Sequence, residues 1–414
     1  MDWMFPAAAA LTGAMGLGMA LWGLWYVGVA LFCLRRPPDY GRRPARARFA
    51  VLIAARNEEL VIGPLINSLL TQDYPAELYD IWVIPNNCTD HTAQAARSFG
   101  ARVLPCARPV RTKGEVLRYA YERLRGRGYD AWCVFDADNL VHRRFLAEMN
   151  SAWLAGAQAA QGFRDSKNPY DTPLSGCSSL YYWMLNRFHN RGRAGLDLSA
   201  LITGTGFMIS SRLLDRLGGW NSETISEDLE LTAQCVLAGE RVWWVPEAIT
   251  YDEQPLTWAE SRKQRRRWSS GTIQVARLAL PRVLGAMGEA PRLALADLGA
   301  TLMIPAYQLA ALAGLACGAL AAALSAATPA GALLAAAAAV LVNLLSAALT
   351  ATLAAFILLR LEGRWDRRLL PALGLYWLFL LSWLPITVGS FLRGTTRWEE
   401  IRHTRNVTPE ALAR

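Results

Sequence analysis

Three long apolar stretches, each closed by arginines, constrain this chain more than any other feature. Residues Pro6 to Leu34 carry no charged side chain, a run long enough to cross the ~30 Å of hydrocarbon in a bilayer. Only Asp2 precedes it, so it lacks the basic leader of a cleavable signal peptide and reads as a signal anchor. Arg35, Arg36, Arg42, Arg43, Arg46 and Arg48 follow at once. Basic residues stay inside, which puts the N-terminus outside and the next residues in the cytoplasm. The second block, Ala294 to Leu359, holds two stretches of crossing length, Leu298–Leu324 and Leu333–Leu359, with Thr328, Pro329 and Gly331 as the turn. Arg360, Arg364, Arg367 and Arg368 mark the return. The third block, Leu369 to Leu392, is interrupted by Pro371 and Pro385 and followed by Arg393, Arg397, Arg402 and Arg405. A further crossing would carry those arginines outside. An interfacial or re-entrant segment is therefore expected, with a fourth span as the alternative.

Composition agrees with a watery domain joined to membrane helices. Hydrophobic residues make up 53% of the chain and charged ones only 19%, yet 43 Lys+Arg and 34 Asp+Glu need water somewhere. Disorder, a small disulfide scaffold and a collagen-like repeat are excluded. The net charge of +9 gathers at membrane flanks, where anionic headgroups attract it, so no nucleic-acid partner is expected. Seven cysteines are scattered with no Cys-x-x-Cys pair, so free thiols are expected; four isolated histidines offer no zinc cluster.

Between about Ala45 and Leu280 short β-rich runs alternate with helical ones. Phe49–Ala54, Asp80–Ile84, Arg102–Leu104 and Ala131–Phe135 read as strands; Leu60–Leu70, Thr92–Phe99 and Lys113–Leu124 read as helices. Such alternation predicts a parallel sheet with helices on both faces. Ligands bind beyond the carboxyl ends of such strands, so the residues just after each strand matter most. They are Ala55-Arg56-Asn57-Glu58-Glu59, Asn86-Asn87-Cys88-Thr89-Asp90 and Asp136-Ala137-Asp138-Asn139. One such cluster alone would read as a loop or helix cap; three at the same sheet edge read as a site. Two carboxylates one residue apart, Asp136 and Asp138, suit a hard cation such as Mg²⁺ or Mn²⁺. No P-loop is present. Downstream, Ser226-Glu227-Asp228 opens a helical run through Ala238, with Ser226 as the expected N-cap. Gln264-Arg265-Arg266-Arg267-Trp268 lies in an Arg- and Trp-dense segment, Trp258–Arg282, with the character of an interfacial helix.

In this order the motifs resemble the membrane-bound family 2 glycosyltransferases, the group of cellulose, chitin, hyaluronan and poly-N-acetylglucosamine synthases. The resemblance rests on Val51–Glu59, Asn86–Asp90, Lys113-Gly114, Asp136–Asn139, Gln161–Phe163, Gly204–Gly206, Glu227-Asp228 and the QxxRW motif Gln264–Trp268. It implies a GT-A (Rossmann-like) catalytic domain over residues 45–255, interfacial helices over 256–292 and a membrane region over 293–392. The N-terminal helix, residues 6–34, and a cytoplasmic tail, 393–414, complete it. The implied activity is inverting, metal-dependent transfer from a UDP-sugar to a growing polysaccharide at the cytoplasmic face of the cell membrane. Export of that product, from a homo-oligomer, extends the reading; the alternative is single-sugar addition to a membrane lipid.

Carried over by residue, Asp136 and Asp138 hold the metal–diphosphate and Asp228 is the general base. Ala55, Glu58 and Asn86 lie around the uridine and Lys113 near the diphosphate. Gln264, Arg267 and Trp268 cover the diphosphate, and Gly204, Thr205, Gly206, Glu227 and Trp268 face the acceptor. The chain departs from the family at Ala54, where Pro is usual, at Asn86, where Asp is usual, and in its small membrane region. Two further expectations concern the acceptor. Tyr181, Tyr182 and Trp183 either line an acceptor groove or pack the core. Thr396–Trp398 and Arg402–Thr404 are expected near the mouth of the site.

Overall fold

The computed structural model describes residues 4–290 and 292–395; the tail segments around Trp398 and His403 lie outside the described residues. The first apolar stretch forms α1 (Met4–Leu31). The chain then alternates through β1 (Phe49–Ala55), α2 (Ile62–Leu70), β2 (Tyr79–Pro85), α3 (Thr92–Ser98), β3 (Arg102–Val103), α4 (Lys113–Leu124) and β4 (Ala131–Asp136). Along β1, Phe49, Val51 and Ile53 enter one core while Ala50 and Leu52 enter the other. A strand covered on both faces has no polar side, which is why its sequence is apolar almost without a break.

The second half supplies β5 (Leu140–Val141), α5 (Phe145–Leu154), β6 (Ala159–Ser166), α6 (Pro173–Met184), a π-helical segment Leu185–Arg191, α7 (Gly192–Ala194), β7 (Phe207–Ser210), α8 (Ser211–Arg216), α9 (Glu227–Leu237) and β8 (Val242–Asp252). All eight strands form one sheet in the order β3-β2-β1-β4-β7-β6-β8-β5. The first four are parallel, as the alternation predicts. The sheet as a whole is mixed, because β7 runs antiparallel to β4 and β6. The reason is local. The Gly204–Gly206 loop sits at the carboxyl edge, where the Gly206 amide donates to Val134 O at 2.9 Å. A strand leaving that edge can only run back down the sheet.

Ser226 precedes α9 but its side chain makes no capping hydrogen bond. The first turn is organised instead by Glu230, whose carboxylate accepts from the Glu223 and Thr224 amides at 3.0 and 2.9 Å.

The C-terminal part comprises α10 (Trp258–Glu289), α11 (Leu293–Leu302), α12 (Ile304–Leu324), α13 (Pro329–Leu361), α14 (Leu370–Leu381) and α15 (Trp383–Leu392). Among the described residues four helical stretches are long and apolar enough to cross a membrane: Gly13–Leu34, Ile304–Leu324, Pro329–Leu361 and Arg367–Leu392. The last differs from its neighbours. It breaks at Ser382, and it packs along α6 and α10, with Arg265 of α10 donating to Phe379 O at 3.0 Å and Ser382 Oγ at 2.6 Å.

Ion pairs, one of them fully buried, tie the apolar helices to the sheet domain. Arg193 of α7 grips Asp297 of α11 bidentately at 2.8 and 2.9 Å, and Trp25 of α1 donates to the same carboxylate at 3.0 Å. Arg364, just past α13, grips Asp165 of β6 at 2.9 and 2.7 Å, and Arg187 meets Glu362 at 3.0 Å. Stranding one member of a buried pair costs about 3–5 kcal/mol. Arg193→Met is therefore expected to lower the thermal unfolding midpoint of the full chain in detergent by about 5 °C, measured by tryptophan fluorescence. An unchanged midpoint would mean that the pair does not hold the two parts together.

Candidate active site

The carboxyl edge of the sheet is built by loops that lock one another. Asn57 and Asn87 both take left-handed backbone, with φ of 58° and 49°, a conformation Asn tolerates better than most residues. This turns the β1 and β2 loops together. Asn57 Oδ1 accepts from the Thr89 amide at 2.8 Å, and Asp90 accepts from the Glu59 amide at 3.1 Å. Arg56 donates to Asn86 Oδ1 at 3.1 and 2.8 Å, while Asn86 Nδ2 donates to Ala55 O at 2.9 Å. Ala55 is buried, and it is Ala54 that faces the cleft beside Glu58 and Asn86.

Lys113 is the first residue of α4, fixed by a capping box between Thr112 and Glu115. A side chain at Gly114 would meet Ser222 Cβ at 2.8 Å, so only Gly lets this turn approach the α9 loop. Lys113 Nζ pairs with Asp136 and donates to Gly204 O at 2.6 Å. Burial raises the Asp136 carboxyl, but Lys113 and then Arg164 outweigh it and hold the group below its ordinary value. Burial likewise opposes the Lys113 ammonium, and Asp136 and Glu227 overcome it. Both groups stay charged. Gly204 takes φ +85°, where a Cβ would stand 3.2 Å from Asp228 Oδ2.

Beneath the Asp-x-Asp turn lies a buried network centred on Asp252, the last residue of β8. Its Oδ1 accepts from Asn139 Nδ2 at 2.9 Å, and its other oxygen pairs with Arg164 of β6. Asn139 Oδ1 in turn receives the Thr205 hydroxyl and, at 3.3 Å, the Asp136 amide. Burial pushes the Asp252 carboxyl up to about 6 against the pull of Arg164. Lys167 is buried and donates to the carbonyl of Asp138.

Glu227 and Asp228 open α9 on the opposite wall. Burial and then Asp228 push Glu227 up to about 7, and burial raises Asp228 as well. On α10, Gln264, Arg267 and Trp268 fall at i, i+3 and i+4 and share one face, and all three line the cleft. Arg265 points the other way, into α14 and α15. Neither Gln264 nor Arg267 has a hydrogen-bond partner among the described residues, so both are available to a ligand.

One cleft thus gathers Glu58, Asn86, Lys113, Asp136, Asp138, Gly204, Glu227, Asp228, Gln264, Arg267 and Trp268 from separate segments of the chain. Thr205 and Gly206 lie behind it: Thr205 is buried on Asn139, and a Cβ on Gly206 would meet Thr250 Oγ1 at 2.7 Å. Asp136 and Asp138 supply two oxygen donors on one wall. Among the described residues no group of three or more His, Cys, Asp or Glu side chains could hold a metal ion. The donor set fits Mg²⁺ or Mn²⁺ only with further oxygens from a bound diphosphate or water.

Residues 45–271 match the family described as Glycosyltransferase like family 2. The chain belongs to that family. It is 30% identical over 244 residues to Probable glycosyltransferase YdaM of Bacillus subtilis, covering 55% of this chain and 56% of the relative. It is 26% identical over 235 residues to Beta-monoglucosyldiacylglycerol synthase of Synechocystis, covering 54% and 47%. The chain spans about half the length of the curated relatives it matches. Mannosyltransferase PcManGT from Pyrobaculum calidifontis, solved with GDP-Man and Mn²⁺, superposes with a TM-score of 0.62 at 19% identity over 94% of this chain and 99% of its own. That likeness establishes the GT-A fold.

Four site residues escape a motif search. Arg164 and Asp165 adjoin the Gln161-Gly162-Phe163 motif but belong to no pattern, while Lys167 and Asp252 become meaningful only once β6 and β8 pair. Tyr181 and Tyr182 line a cavity that adjoins the cleft, with ring centroids 6.2 and 5.9 Å from Trp268, whereas Trp183 is buried and donates to Asp165 at 2.8 Å. The raised carboxyl of Glu227 has a stability consequence. Its contribution to stability is fully present below the ordinary value of 4.5 and is lost as pH rises through about 7. Glu227→Gln is therefore expected to raise the unfolding midpoint relative to wild type at pH 8, with a much smaller gain at pH 5. Equal shifts at both pH values would contradict a buried, reluctantly ionised Glu227.

Proposed function

We propose that this enzyme transfers one sugar from a nucleoside diphosphate sugar, a UDP-sugar in the first instance, to the hydroxyl of a membrane lipid. The observation that carries this reading is a second cavity of ≈ 400 Å³ that shares Arg164, Thr203, Ser226, Asp228 and Trp268 with the cleft and continues between α12, α14 and α15. Its far wall is Ile304, Pro305, Leu380 and Trp383. A mostly apolar cavity with a few convergent polar groups suits the body of a lipid. The mono-glucosyl lipid synthases among the relatives support the same class of acceptor. The polysaccharide reading draws on the wider family resemblance.

In this reading the acceptor hydroxyl lies between Asp228 and the anomeric carbon. As the acceptor oxygen attacks, Asp228 takes its proton, the bond from the anomeric carbon to the diphosphate oxygen breaks, and configuration inverts. A general base works best with a pKa lifted toward the operating pH, and burial lifts Asp228 in that direction. Lys113 on one wall and Arg267 on α10 balance charge on the departing diphosphate. Asp136 and Asp138 would hold a divalent cation there, which when bound supplies Lewis-acid stabilisation of the leaving group. Trp268 offers a flat face to the sugar or acceptor. The N-terminus lies outside and the catalytic domain faces the cytoplasm, as the arginine distribution implies. The segment α14–α15, broken at Ser382 and packed on α6 and α10, is read as interfacial or re-entrant.

The full chain in nanodiscs, given UDP-glucose, UDP-galactose, UDP-N-acetylglucosamine or GDP-mannose with dioleoylglycerol and Mg²⁺ or Mn²⁺, should form a single-sugar glycolipid on thin-layer plates. A ladder or polymer on gels, without that glycolipid, would overturn this reading in favour of a polysaccharide synthase. Asp228→Asn should lower transfer by about 10³-fold with nucleotide-sugar affinity retained. Excess EDTA should abolish transfer, with recovery on adding Mn²⁺.

A further inference from the structure

The acceptor cavity contains a polar pair that the transfer chemistry does not use. Gln308 lies one turn into α12 and Thr387 in the middle of α15, and both line the cavity. Thr387 is buried, and its hydroxyl donates to Gln308 Oε1 at 2.6 Å. That bond occupies the amide oxygen and leaves the two N–H donors of Nε2 without a hydrogen-bond partner among the described residues. A primary amide on an otherwise apolar helix in a membrane-embedded wall is costly unless it meets an acceptor. At the neck joining the cavity to the cleft, Thr203 Oγ1 is also buried with no partner among the described residues.

The charges around the cavity narrow what can satisfy these donors. The charged side chains on its wall are Arg164 and Asp228. Arg164 is already committed to Asp252 and, at 2.6 Å, to Thr203 O. Among the described residues no uncommitted cation faces the cavity, and the Asp228 carboxylate would repel a phosphate brought to it. A neutral acceptor, with one hydroxyl for Asp228 and a carbonyl oxygen deeper in, fits both ends.

Resting on the lipid-acceptor reading above, we infer that Gln308, held by Thr387, binds an ester carbonyl of a neutral glycerolipid and so selects the acceptor. The amide N–H donates to the carbonyl, the free hydroxyl points to Asp228, and the acyl chains leave between α12 and α15. Gln308 acts on acceptor binding alone, since it stands away from the nucleotide cleft.

The test pairs a change in the protein with a change in the lipid. Wild type, Gln308→Leu and Thr387→Val, each full-length in nanodiscs, are assayed with dioleoylglycerol, its ether-linked analogue dioleylglycerol and a polyprenyl phosphate, using the donor active above. One neutral hydrogen bond is worth about tenfold at most. Wild type should prefer the ester over the ether lipid by about that factor, through KM for lipid. Gln308→Leu should lose the preference, with donor KM and acceptor-independent donor hydrolysis unchanged. Thr387→Val should weaken the preference partly. An ester preference equal in wild type and Gln308→Leu would overturn the inference while leaving lipid glycosylation standing. Faster transfer to polyprenyl phosphate than to dioleoylglycerol would overturn the neutral-acceptor assignment. Donor hydrolysis by wild type without transfer to any of the three lipids would overturn both this inference and the reading it rests on.

Discussion

The Asp-x-Asp turn and the neck of the second cavity hang from one buried carboxylate. Asp252, at the end of β8, holds Asn139 with one oxygen and Arg164 with the other. Through Asn139 it sets the turn that presents Asp136 and Asp138; through Arg164 it reaches the Thr203 carbonyl and the neck of the second cavity. Burying an acid is expensive unless its lone pairs are met. Here the cost fixes a geometry, since each partner of Asp252 is itself bonded onward. Arg164 lies 4.2 Å above the Tyr182 ring, which extends the same rigid chain to the aromatic group around Trp268.

The helix α10 shows how one element can serve two environments. Its cleft face carries Gln264, Arg267 and Trp268 with polar atoms left for a ligand. Its opposite face sinks Arg265 among the rings of Trp258, Phe379 and Trp383, with centroid distances of 4.8, 4.5 and 5.5 Å. Desolvation lowers that guanidinium to about 10, and backbone and hydroxyl acceptors from α14 and Ser382 take the place of a carboxylate. Opposite α10, Glu227 and Asp228 are crowded together under desolvation. This arrangement is unfavourable for folding and suits the proton-accepting role proposed for Asp228.

The parts of this architecture that were readable in the sequence are local ones. Phe49–Ala54, Asp80–Ile84 and Ala131–Phe135 stand out because parallel strands are apolar on both faces, and Asn57, Asn87, Asp136 and Asp138 stand just beyond them because that edge is where polar groups are tolerated. The reversal of β7 was not readable, since it depends on where the Gly204–Gly206 loop must dock. Asp252 and Arg164 were invisible for the same reason: they meet across 88 residues and neither lies in a motif. The third apolar block was half legible. Pro385 removes the N–H that Leu381 O would accept, so a break near Ser382 follows from covalent chemistry. Pro371 sits in the first turn of α14, where a missing N–H costs nothing.

Trp383 ties these observations together. It belongs to α15, donates to Ser269 Oγ at 3.0 Å, and lies 6.0 Å from Trp268 with the two rings near parallel. The floor under the proposed acceptor site is therefore shared property, half from the sheet domain and half from the apolar helices. A catalytic domain cut free at the start of the apolar region would keep its nucleotide cleft and lose that floor. The boundary between the sheet domain and the apolar helices, so clear along the sequence, does not exist at the site proposed for sugar transfer.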